Sequence, residues 1–237
     1  MNLVDAFLEI LYPPRCIICD EPIRDYGYCD DCNGKLEPIK APLCQMCGLE
    51  KGNCACKYNI FHFDAITAPY FNEEYAQQGV YDLKFKIRYN CVRTFGREMA
   101  KCVKKDFGTE NIDLICCVPA RNESLYDRGF NHAELFAREI SKQLKIKRDN
   151  KLLKLNYQGK TQHRLKTIDD RFNNVRGRYG VTKTVKGKNI LLVDDIKTSG
   201  ATIDECARQL KFAGAEKVYC VTALVTRKKK NEETNAL

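Results

Sequence analysis

The chain of 237 residues lacks any long apolar run, and Ile190 to Val193 is typical of its longest uncharged apolar stretches. A membrane-spanning helix needs about 20 such residues, so none is expected. A secretory signal is missing too, because Asp5 and Glu9 stand where a basic region and an apolar core belong. No glycine-rich loop ending in Gly-Lys-Ser/Thr occurs, which argues against a P-loop ATPase. Histidine is scarce: His62, His132 and His163 are the whole set. None has a ligand partner at metal-site spacing, so no catalytic histidine is expected. His132 reads as a capping or packing residue, with a place facing a ligand site as the other reading. These absences point to a cytoplasmic protein.

Cysteine is what the sequence has in excess, with fourteen. Thiols in the cytosol stay reduced, so metal ligation is a better explanation than a disulfide framework. Eight of them form four close pairs: Cys16 and Cys19, Cys29 and Cys32, Cys44 and Cys47, Cys54 and Cys56. Six of the seven prolines also lie at or before Pro69. A segment this small cannot fold on its own apolar core, and a metal would staple it. Two cysteines separated by two residues form a knuckle that presents both sulfurs to one zinc, and two knuckles complete a tetrahedral site. Two Zn²⁺ ions are therefore expected. Sequential pairing is expected, with Cys16, Cys19, Cys29 and Cys32 on one ion and Cys44, Cys47, Cys54 and Cys56 on the other. A cross-braced arrangement stays open. Neither set holds a histidine or an open position, so the zinc reads as structural. The remaining cysteines, among them Cys116, Cys117, Cys206 and Cys220 on apolar segments, behave as small hydrophobes.

Past residue 63 the texture changes to alternating strands and helices. Strands are expected over 64–70, 113–118, 189–193 and 218–225, and helices over 73–87, 92–105, 131–144 and 201–212. This alternation argues for an α/β fold with a parallel sheet flanked by helices. Val4, Phe7, Leu8 and Leu11 form one stripe of a short N-terminal helix. The division expected is 1–62 for that helix and the zinc ribbons, 63–228 for the α/β domain and 229–237 for a disordered tail. Net charge is +9, which favours polyanionic partners without naming one. The run Arg227 to Lys230 is the densest basic cluster. It reads as a solvated tail or as a contact to nucleic-acid phosphates.

The strand Ile190-Leu191-Leu192-Val193 leads into Asp194 and Asp195, then Ile196-Lys197-Thr198-Ser199-Gly200-Ala201-Thr202. In open α/β sheets ligands bind beyond the carboxyl ends of the strands. Two adjacent carboxylates suit a ribose 2′,3′-diol, and backbone N–H groups at a helix N-terminus suit a phosphate. Taken alone, the same residues also fit a buried strand that ends in a turn.

Val193-Asp194-Asp195-Ile196 with Thr198-Ser199-Gly200-Ala201-Thr202 resembles the phosphoribosyl pyrophosphate (PRPP) signature of type I phosphoribosyltransferases. Ser199 stands where that signature has a threonine. Val118-Pro119, Arg121 and Arg128-Gly129-Phe130-Asn131 resemble the ComF group, competence-associated proteins with an N-terminal double zinc ribbon. Lys160, Thr161, Gln162 and Leu165, then Arg171, Asn174, Val175, Gly177 and Tyr179, are similar to its mobile loop and the strand after it. His132 occupies a usual glutamine position. The resemblance implies a type I phosphoribosyltransferase-like fold in which 194–202 bind PRPP, with Asp194 and Asp195 on the ribose hydroxyls. Arg121, Arg128 and Asn131 would hold pyrophosphate, and Lys160 and Gln162 would act in catalysis. Mg²⁺ would accompany PRPP. The resemblance further implies a role in DNA uptake or nucleotide metabolism, with single-stranded DNA and a competence helicase as partners. It also admits a protein that only senses PRPP and no longer transfers its ribosyl group.

Overall fold

The computed structural model describes residues 13–54, 56, 61–86, 89–121, 129–156 and 168–227. The expected N-terminal helix, Arg128, Lys160, Gln162 and the tail over 229–237 lie outside these residues.

The helices of the α/β part are α1 (Glu74–Lys86), α2 (Tyr89–Asp106), α3 (His132–Leu144), α4 (Ile168–Val175) and α5 (Ala201–Phe212). The strands are β1 (Ala65–Thr67), β2 (Tyr70–Phe71), β3 (Leu114–Cys117), β4 (Leu153–Leu155), β5 (Tyr179–Val181), β6 (Asn189–Lys197) and β7 (Lys217–Val225). Five of these form a parallel sheet in the order β1-β7-β6-β3, with β2 also on β7. β4 and β5 make a separate antiparallel pair. The segment over 64–70, expected as one strand, is two short strands on the same edge. Pro69 lies between them and has no N–H to give to a ladder.

Side chains alternate across the sheet, and this places two apolar layers. Ile115, Cys117, Leu191, Val193, Val221 and Ala223 face α2 and α3, where Phe95, Met99, Val103, Phe136 and Ile140 close the layer. Leu114, Cys116, Ile190, Leu192, Val218 and Cys220 face the other way, onto Ile203, Cys206, Ala207 and Leu210 of α5. Each fully buried Leu or Ile contributes about 1.5–3 kcal/mol. Gly96 lets α2 and α3 approach closely, since a Cβ there would fall 2.7 Å from Glu139 Cβ.

The cysteine-rich segment covers the β1–β2 edge of the sheet. Ile66 N donates to Gln45 O at 2.8 Å and Ile39 N to Pro69 O at 3.0 Å. Cys47, Leu49, Ala68, Phe71 and Val225 make a shared apolar cluster. At the other end Tyr26 receives the guanidinium groups of Arg93 and Arg97, 4.7 and 5.0 Å from its ring centroid. An edge strand left open invites association, and here the ribbon closes it. Arg227, first of the basic run expected as a solvated tail, is tied down: it pairs with Glu37 (3.1 Å) and Glu73 (2.6 Å) and lies 3.7 Å over the Phe71 ring.

Candidate active site and zinc centres

The eight paired cysteines gather as two tetrads. Cys16, Cys19, Cys29 and Cys32 have their sulfurs within 4.8 Å of one another, and so do Cys44, Cys47, Cys54 and Cys56. The pairing is sequential, and the cross-braced alternative does not occur. Cys19 and Cys29 sulfurs are 3.6 Å apart and those of Cys47 and Cys54 are 3.7 Å apart. A tetrahedron with Zn–S near 2.3 Å has S···S edges of about 3.8 Å, so the geometry fits the ion.

The two centres repeat one backbone device. Asp20 N donates to Cys16 O and Gly48 N to Cys44 O, while Cys16 N donates to Glu21 O and Cys44 N to Leu49 O. The residue after each second cysteine, Asp20 or Gly48, takes a left-handed conformation, with φ of 69° and 74°. As thiols the tetrads resist sharing charge. Burial first, then neighbouring cysteines, pushes Cys32 up to about 12, and burial pushes Cys56 up to about 11. Burial also acts to raise Cys16 and Cys44, but it is outweighed. For Cys16 mainly backbone N–H groups draw the thiol down to about 7, and for Cys44 the Cys54 side chain and backbone N–H groups do the same. Four thiolates at this spacing need a cation between them.

The diacid lies inside β6, not at its end. β3 stops pairing at Cys117 and Val193, whereas β7 continues alongside with Asp194 opposite Thr222, Ile196 opposite Leu224 and Lys197 opposite Val225. β6 therefore runs on through Asp194 to Lys197 with the β3 side of its ladder open. Asp194 and Asp195 are half-buried there. Asp194 Oδ1 accepts from Asp195 N at 2.9 Å, and Asp195 Oδ1 accepts from Ile196 N at 2.7 Å. Each carboxylate thus has one oxygen bonded to the chain next to it.

The loop after β6 turns at Gly200, with φ of 85°. A Cβ there would sit 3.1 Å from Lys197 Cε and 3.4 Å from the Phe61 ring, so glycine is required by conformation and by space. Asp194 and the loop from Ile196 to Ile203 line a small concavity of about 50 Å³. It opens at the first turn of α5, where backbone N–H groups lack helical partners.

Across from it, Arg121 follows β3, half-buried. Asn131 sits at the same end, with its amide engaged by the fold: Nδ2 donates to Val118 O at 2.9 Å and Oδ1 caps α3 at Ala133 N at 3.1 Å. His132, buried at the first residue of α3, meets Phe130 edge-on at 5.1 Å. His62, by contrast, has a close partner that its sequence neighbours did not suggest. Its Nδ1 lies 3.0 Å from Asp204 Oδ2. Glu205 is buried beside it and also went unmarked by sequence reasoning. Burial raises its carboxyl, but the Arg208 fork, Gln209 and Gly177 N outweigh that and hold it below the usual range.

Comparison with known proteins bears on both halves. A family model described as a double zinc ribbon domain matches residues 7–58, and one described as a phosphoribosyl transferase domain matches 131–236. The DNA utilization protein YhgH of Escherichia coli K12 is 26% identical over 223 residues, spanning 88% of this chain and 96% of that one. Competence protein F of Haemophilus influenzae is 25% identical over 217 residues, with 89% and 90% spanned. Competence protein ComFC of Bacillus subtilis is 23% identical over 228 residues, with 84% and 89% spanned. The chain thus joins a double zinc ribbon to a phosphoribosyl transferase domain and is similar along most of its length to competence proteins of the ComF type. The cysteine tetrads fall in the first match, and the diacid with the loop after it in the second. A purine phosphoribosyltransferase structure from Pyrococcus horikoshii is 15% identical with a TM-score of 0.35, covering 57% of this chain and 81% of that one. Among the described residues, no helix is long and apolar enough to cross a membrane.

Proposed function

We propose that this protein is of the ComF type, binds PRPP and transfers its phosphoribosyl group with release of pyrophosphate, acting in DNA uptake or nucleotide metabolism. The observation that carries the reading is the single segment Asp194 to Thr202, in which two carboxylates and a tight glycine corner at a helix start stand next to one another. The second oxygens of Asp194 and Asp195 accept the ribose hydroxyls, and the loop from Lys197 to Thr202 takes the 5′-phosphate. Arg121, with Arg128 and Asn131, serves the pyrophosphate end, where guanidinium forks suit a dense anion. The family resemblance assigns Lys160 and Gln162 to closing over the bound substrate and excluding water. Mg²⁺ bound with PRPP supplies charge neutralisation at the pyrophosphate, and oxygen donors such as Asp194 and Asp195 suit such a hard cation. The chain's own contribution is positioning and electrostatic stabilisation, with little covalent chemistry.

Two measurements test this. PRPP with Mg²⁺ at 100-fold over its Kd stabilises by about 2.7 kcal/mol, which for a chain of this size is a rise in Tm of roughly 5–10 °C. No rise would remove the PRPP site. Release of pyrophosphate from PRPP in the presence of a panel of bases and amines is expected for at least one acceptor. Binding without release for every acceptor would leave a sensor and not a transferase.

A second reading, contact with single-stranded DNA, is favoured by the relatives named for DNA utilization and competence and by the net charge of +9. Binding of an oligonucleotide should weaken steeply with salt, the log–log slope approaching about −0.7 per phosphate neutralised. A flat salt dependence, or no binding at low salt, would exclude the phosphate contacts.

A further inference from the structure

Phe61 and His62 lie far in sequence from the phosphate loop, yet they brace it from two sides. The Phe61 ring stacks on Phe63 at 4.7 Å and tilts against Phe172 of α4 at 6.1 Å. Its free edge covers the glycine corner, at 3.4 Å from the position a Gly200 Cβ would take. The Lys197 ammonium lies 5.7 Å from the Phe61 ring centroid. That lysine is 6% exposed, and its Cε passes 3.1 Å from the same Gly200 position. The loop is thus folded around its own lysine stem, with Phe61 as the outer wall.

His62 fixes the helix that the loop enters. Its backbone N donates to Asp204 Oδ1 at 2.5 Å, and its Nδ1 meets Asp204 Oδ2 at 3.0 Å. One residue therefore occupies both oxygens of a carboxylate that is 5% exposed. Asp204 N in turn donates to Gly200 O at 2.9 Å. The chain of contacts runs from His62 through Asp204 to the glycine corner without a gap. The neighbouring charges are committed to each other: Arg208 holds Glu205 through two hydrogen bonds, and the Gln209 amide adds a third. The cleft of about 190 Å³ behind the loop, lined by His62, Phe172, Arg176, Asp204, Glu205 and Arg208 among others, shares Ala201 with the phosphate concavity.

We infer that Phe61 and His62 are positioning residues for the phosphate loop, holding its Gly200 corner and the Lys197 ammonium ready for a 5′-phosphate. The inference rests on the PRPP reading of that loop. A loop already ordered in its binding geometry does not lose that ordering entropy when ligand arrives, and a misplacement near 1 Å in such a site costs about 100-fold.

The test titrates the full-length protein with ribose 5-phosphate and, separately, with PRPP and Mg²⁺, for the wild type, Phe61→Ala, His62→Ala and His62→Asn. The 5′-phosphate is common to both ligands. Each alanine variant should therefore weaken both by the same factor, about tenfold; Phe61→Ala removes a buried ring and lowers the unliganded Tm as well, whereas His62→Ala leaves it little changed. The His62→Asn variant places an amide N–H where the imidazole Nδ1 stood and should restore affinity to within about twofold. Wild-type affinity in both alanine variants would overturn the inference while leaving the PRPP site intact. A loss in His62→Ala that follows a fall in Tm and is not restored by His62→Asn would also overturn it, in favour of plain packing. A wild type that binds neither ligand would remove the PRPP reading itself, and the inference with it.

Discussion

Replacing Asp195 with asparagine should remove most of the thermal stabilisation that PRPP confers and leave the unliganded protein folded with its zinc content unchanged. The choice of asparagine follows from the geometry. Asp195 Oδ1 accepts from Ile196 N at 2.7 Å, and an amide oxygen can keep that bond. The second oxygen, which in the proposed complex accepts a ribose hydroxyl, becomes an NH₂ and loses both its charge and its acceptor role. A hydrogen bond to a charged group is worth about 1.5–3 kcal/mol, which corresponds to a roughly 10- to 150-fold weaker Kd. Alanine at the same position would release the Ile196 N–H as well, so the asparagine variant is the cleaner probe. Titration by calorimetry, with Tm measured in parallel, decides it. Unchanged PRPP affinity in Asp195→Asn would show that the carboxylate does not touch the ligand.

The placement of the diacid was only half visible in the sequence. The run Ile190 to Val193 is continuous and apolar, as expected for a parallel strand covered on both faces. That feature, with the α5 range Ala201–Phe212, is written locally. The extension of β6 to Lys197 is not. It depends on β7 continuing past the point where β3 ends, which is a property of three distant segments. Helix α4 shows a different limit. Ile168, Phe172 and Val175 have helical spacing, but eight residues rich in Asp, Asn and Arg give too short a signal to separate from a loop. The His62–Asp204 contact, across 142 positions, has no sequence trace at all. Cysteine spacing predicts two metal tetrads and favours sequential pairing, with the cross-braced arrangement still open because spacing fixes the knuckle and not which knuckles meet.

That pairing leads to the second large effect. Metal analysis of freshly purified, reduced protein should find about two zinc ions per chain, and none at all would overturn the ribbon assignment. Structural zinc in comparable sites contributes an apparent 10–16 kcal/mol, as large as the whole stability of a typical domain. Substituting one ligand by serine should therefore remove one ion and loosen its half of the ribbon. The two halves should differ in consequence. Cys19 is exposed in the first tetrad, and its loss should leave the packing around Val225 intact. Cys47 is buried in the second tetrad and packs with Leu49, Ala68, Phe71 and Val225 against the sheet edge. Cys47→Ser should therefore uncover the β1–β2 edge as well as lose zinc, lowering Tm further than Cys19→Ser and promoting self-association through the open strands. Equal melting temperatures and equal solubility for the two variants would mean that the second ribbon does not guard the sheet. A larger fall for Cys47→Ser would make zinc at that centre a condition for the integrity of the sheet that carries Asp194 and Asp195.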